Sequence, residues 1–127
     1  MIILGISEGY HDAGVTVLND NQIVTASHSE RYSRIKNDKW AAPEQLVQAD
    51  TIAYYEDPQL KNKRREFAGQ SILDCKTEYD VYYPHHMTHA AAGYYTAPFD
   101  DCNIIVVDAI GESVSYTHLT LPTKRIV

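Results

Sequence analysis

The chain has 127 residues, 44% of them hydrophobic and 22% charged, which suits one globular domain at most. A formal charge of −6 speaks against a generic nucleic-acid binder, which would carry a basic excess. Two cysteines, Cys75 and Cys102, lie far apart in no metal-binding spacing and form no secreted disulfide framework. The N-terminus has neither a basic leader nor a long apolar run, so a cytoplasmic chain with no membrane segment is expected.

In chain order, "MIILGIS" is a short β-branched apolar run, and "GVTVLNDNQIVTASHSE" alternates around Asn19-Asp20-Asn21. Asn and Asp tolerate the left-handed backbone of tight turns, so strands over roughly 2–7, 14–19 and 22–29 are predicted to form a meander. Pro43 sits where a first helical position favours it, ahead of a short helical stretch "PEQLVQA". "TIAYYE" reads as a strand, and "PQLKNKRREFAGQS" as a helix with Pro58 near its start and Gly69 near its end. That helix carries Lys61, Lys63, Arg64 and Arg65 beside Glu56, Asp57 and Glu66, a pattern expected of a solvated face. Residues 71–83 give no clear pattern. Pro84 opens a helix over 85–95 that Pro98 stops. "NIIVVD" then reads as a strand buried on both faces, ending in Asp108 beside a glycine turn. In α/β folds ligands gather at that end of a strand.

The sharpest chemical feature is "HHMTHA" at 85–90. On a helix, His85 and His89 are four apart and share a face, with Cβ atoms about 5–6 Å apart, close enough to converge on one metal ion. His86 and His89 form a weaker pair. A zinc peptidase would need HExxH, and position 86 is His, so that class is excluded. Asp108 is the best third donor. Against metal binding stands a plainer reading, in which these histidines cap and pack a helix start.

A resemblance extends over about 110 residues. "GYHDA", "ERYSRIK", "HHMTHA" and "VVDAIGE" follow the order of motifs in the NodU/CmcH-type O-carbamoyltransferases. The resemblance implies an α/β chain, the first half of an actin-like ATPase (RNase H-like) fold. It implies transfer of a carbamoyl group to the hydroxyl of a small-molecule acceptor. The route would be carbamoyl-adenylate made from carbamoyl phosphate and ATP. By position, His85, His89 and Asp108 would hold a divalent metal, iron before zinc, with a further ligand beyond this chain. His11 and Asp12 would be catalytic, and Arg31, Lys36 and Gly111 would contact substrate or nucleotide. Glu30 and Arg34 are read as ordinary surface groups. Ala109 departs from the family's D-G-x-G-E turn, and the stretch between Asp38 and Asp80 is shorter than the family usually has.

The resemblance covers residues 1–113. "VSYTHLTLPTKRIV" at 114–127 departs from it and looks like translated adaptor DNA, so it is expected to be non-native. A C-terminal half and an adenylate-forming domain would then be missing, leaving the isolated chain weakly stable and inactive. Two alternatives stand: a tRNA threonylcarbamoyl-transfer protein of the same fold, and a metal-binding or interaction module without catalysis.

Overall fold

The computed structural model describes residues 1–108 and the backbone of 121–122. A mixed five-stranded sheet organises them, in the order β3-β2-β1-β4-β5. Strands β1 (Ile2–Ser7), β2 (Gly14–Asn19) and β3 (Gln22–His28) form the expected meander, antiparallel throughout. The β2–β3 turn places Asp20 and Asn21 at φ +48° and +70°, the backbone that two-residue hairpins demand. On the other side of β1, β4 (Thr51–Tyr54) and β5 (Val81–Tyr82) add in parallel.

Alternation decides the core. Leu4 and Ile6 of β1 face the same side as their cross-strand partners Val17 and Val15, and Ile6 lies beside Tyr54 of β4. These five residues are buried together, with Ala41, Ala49, Cys75 and Tyr79 packed on them from the connecting segments. Tyr79 stacks on Tyr54 at 5.1 Å between ring centroids. The edge strand β3 is mostly exposed and adds little to this core.

Two helices fall where proline and glycine punctuate the chain. α2 (Pro58–Phe67) begins at Asp57, whose carboxylate accepts from the backbone N–H groups of Gln59 and Leu60, and Gly69 follows its end at φ +72°. α3 (His85–Thr96) follows Pro84, and the N–H of Thr88 donates to the carbonyl of Pro84. A single helical turn, α1 (Glu30–Ser33), was not anticipated; it ends at Arg34 in left-handed backbone.

Three expectations are corrected. The stretch 43–49 forms only a 3-10 turn, Pro43–Gln45. The Gln45 side chain is buried there, accepting from Ser29 Oγ and Ala42 N and donating to Ser27, so it fastens this segment to β3 instead of continuing a helix. The basic face of α2 is not uniformly solvated, because Lys61 is buried. Finally, the apolar run 103–108 is not a strand buried on both faces. Only β6 (Asn103–Ile104) pairs, antiparallel to β7 (Leu121–Pro122), and Ile105 and Val107 are 71% and 65% exposed. A strand is buried on both faces only when layers cover both, and among the described residues this run is covered on one face alone, where Val106 is buried and α3 packs on β6. The proposed boundary at residue 113 lies outside the described residues, as does most of the 114–127 tail.

Candidate metal centre

β1, β4 and β5 run parallel, so their carboxyl ends meet at one edge of the sheet. From β1 the chain leaves through Glu8 to Asp12, from β4 through Tyr55 and Glu56 to α2, and from β5 through Pro84 to α3. Side chains from all three exits line one pocket of about 610 Å³, within the roughly 300–1,000 Å³ usual for ligand sites. The topology alone makes this edge the place for chemistry.

On the α3 wall, the i, i+4 spacing does what the sequence suggested. His85 Nε2 lies 2.6 Å from Asp108 Oδ2, His89 Nε2 lies 3.2 Å from the same oxygen, and the two imidazole nitrogens are 3.1 Å apart. Two nitrogens and one carboxylate oxygen thus converge within 4.8 Å of one another. Ligands about 2.1 Å from a tetrahedrally held ion sit about 3.4 Å apart, so a small opening of the His85–Asp108 pair would seat one. The donor set suits iron or zinc alike. His85 is largely enclosed, whereas His89 is 53% exposed. His86 stays outside the cluster, with a buried Nε2 that has no hydrogen-bond partner among the described residues. Ala90 is fully buried, letting α3 sit close at this end.

Across the pocket, His11 Nδ1 is 2.8 Å from Asp12 Oδ2. Their turn is braced by the segment that follows α1. Backbone N–H groups of Gly9, Asp12 and Ala13 donate to the carbonyls of Lys39, Asn37 and Asp38, and the N–H of Asn37 donates to the Glu30 carboxylate. Glu30 therefore has a structural task, holding the loop that holds the turn. Asp12 itself has φ +48°.

Arg31 and Lys36 are not brought to this pocket. Arg31 is exposed on a second groove, of about 830 Å³, between the sheet and α3, and Lys36 is exposed and lines neither. Gly111 lies outside the described residues. The cations that do line the pocket are Lys61 and Arg64 of α2. Lys61 Nζ donates to Glu56 at 2.5 Å and to the Tyr55 hydroxyl at 2.9 Å, all on the β4–α2 connection. Sequence reasoning missed this cluster because Glu56 and Lys61 are five apart across a helix start, where no helix-face rule pairs them. Burial, then the hydrogen bond to Glu56, pushes the Tyr55 phenol well above its ordinary range and keeps it protonated. Glu8 also lines the pocket, and its buried carboxylate accepts from the N–H groups of Ala41 and Thr77 and from the Thr77 hydroxyl.

Residues 46–125 match the family model described as carbamoyltransferase N-terminus. The chain belongs to this family. The match contains β4, α2, α3 and the histidine–aspartate cluster, but not the His11 turn. It also runs through residues 114–125, within the tail set apart on sequence grounds. Among curated proteins, "Uncharacterized protein sll1178" of Synechocystis sp. is 28% identical over an alignment covering 87% of this chain and 26% of the relative. The chain thus spans about a quarter of that relative's length. The aligned stretch of 159 residues is longer than the chain, so the relative carries residues with no counterpart here. Among the described residues, no helix is long and apolar enough to cross a membrane.

Proposed function

We propose that this chain is the metal-binding, acceptor-activating part of an O-carbamoyltransferase, working in the cytoplasm within a longer polypeptide. The observation that carries the reading is one pocket with His85, His89 and Asp108 on one wall and the His11–Asp12 pair on the other. The sheet supports the first half of an actin-like fold: a three-stranded meander, then two parallel additions beyond β1.

The co-substrates in this reading are ATP and carbamoyl phosphate, joined elsewhere in the polypeptide as carbamoyl-adenylate, and the acceptor is a small molecule bearing a hydroxyl. Asp12 accepts from Nδ1–H of His11, which fixes the tautomer and leaves Nε2 as a base. His11 Nε2 takes the acceptor's hydroxyl proton as its oxygen bonds to the carbamoyl carbon. The bond from that carbon to the phosphate oxygen breaks, and AMP leaves. A divalent metal held by His85, His89 and Asp108, iron before zinc, would polarise the reacting oxygen. Arg64, beside the Lys61–Glu56 pair, places positive charge in the same pocket, where a phosphate would need it. Arg31 and Lys36 would serve substrate from outside this pocket, and Gly111 would contact substrate or nucleotide, as the resemblance implies.

The test is acceptor-dependent AMP release by the full-length polypeptide supplied with ATP and carbamoyl phosphate. His11→Ala is expected to lower the rate about 10²–10⁴-fold, the usual worth of a general base, with metal content unchanged. Metal binding with no AMP release would contradict transfer and leave a binding module.

A further inference from the structure

We propose that Tyr55 is a positioning residue for the metal ligand His85, an inference that rests on the metal reading above. Tyr55 is the first residue beyond β4, and its own N–H is fixed to the carbonyl of Ile6. Its ring meets the His85 imidazole edge-to-face, with centroids 5.7 Å apart and planes at 76°. Its carbonyl accepts from Thr88 Oγ1 at 3.1 Å, one turn along α3 from His85. Its hydroxyl accepts from Lys61 Nζ, which Glu56 holds in turn, and both of those side chains are buried.

Every end of Tyr55 is thus tied: backbone to β1, carbonyl to α3, hydroxyl to α2. A ring so held is a fixed wall. It limits rotation of the His85 imidazole and keeps Nε2 directed at Asp108 and His89. Among the described residues His89 has no comparable wall; its ring contact there is with His85 itself, at 4.5 Å. The two ligands therefore differ in kind. His85 is the anchored ligand, oriented by β4, and His89 is the compliant one, oriented by its neighbour.

The experiment compares Tyr55→Leu, which removes the aromatic wall, with Tyr55→Phe, which keeps the ring and drops only the hydroxyl. Far-UV circular dichroism confirms that both variants of the chain keep the sheet. Cobalt(II) alone is titrated by its visible absorbance, and His85 ring-proton shifts are read by NMR in the metal-free chain. Tyr55→Leu is expected to weaken cobalt binding about 10–100-fold, the usual cost of losing a residue that orients a ligand, with Tyr55→Phe, which keeps the ring and both backbone ties, losing much less. The ring-current displacement of the His85 protons should vanish in Tyr55→Leu and persist in Tyr55→Phe. Unchanged affinity and unchanged His85 shifts in Tyr55→Leu would overturn the proposal, as would equal losses in both variants. If the wild type binds no cobalt but Tyr55→Leu alone abolishes the His85 shifts, the positioning stands and the metal reading falls.

Discussion

The two sides of the candidate site are built differently. The β1–β2–β4 side rests on a core of Leu4, Ile6, Val15, Val17 and Tyr54, and its exit loops are tied by Glu8, Gln45 and the Lys61–Glu56 pair. Among the described residues the Asp108 side has a thinner base: β6 pairs over two residues, Val106 is buried, and Ile105 and Val107 face outward. One wall of the pocket is held by packing. The other depends on α3 and on the His85–Asp108 contact itself.

That contrast can be broken at its strongest point first. Glu56→Ala would leave the buried Lys61 ammonium without its carboxylate, and a loss of about 3–5 kcal/mol is expected in urea denaturation. Leu4→Ala, which opens a cavity beneath the sheet, should cost about 2–5 kcal/mol. By the same measurement Ile105→Ala should change stability by no more than about 0.5 kcal/mol, as exposed positions do. A loss from Ile105→Ala matching that from Leu4→Ala would abolish the distinction between the two sides.

Alkaline pH sharpens the same point. Burial pushes the phenols of Tyr54 and Tyr55 well above their ordinary value of 10.0, so the folded chain keeps both protonated while the unfolded chain ionises them. The stability that burying the neutral phenols provides is complete below pH 10 and is lost as pH rises beyond it. Unfolding and the phenolate absorbance of these two rings should therefore appear together. Ionisation of both near pH 10 in a still-folded chain would contradict their burial.

Much of this architecture could be read in the residues. Period-two alternation and the Asp20–Asn21 turn specify the meander, because only one register buries Leu4, Ile6, Val15 and Val17 together. Pro58, Gly69 and Pro84 mark helix limits through local backbone chemistry. His85 and His89 were legible as a pair because helical spacing is local. What escaped depends on contacts distant in sequence or on side chains turning inward. Gln45 turns toward β3 and halts a helix that Pro43 invites. Lys61 looked like one more surface cation until β4 brought Tyr55 and Glu56 beneath it. The run at 103–108 carries the composition of a covered strand, which composition alone does not cover.

The proposed metal site is a single one, formed by His85, His89 and Asp108. Its most direct test is equilibrium titration of the chain with iron(II) under anaerobic conditions, alongside His89→Ala and Asp108→Asn. One ion bound per chain, with binding lost in both variants and the sheet's circular dichroism intact, is the predicted result. Absence of binding in the wild type, or equal binding in all three proteins, would contradict it.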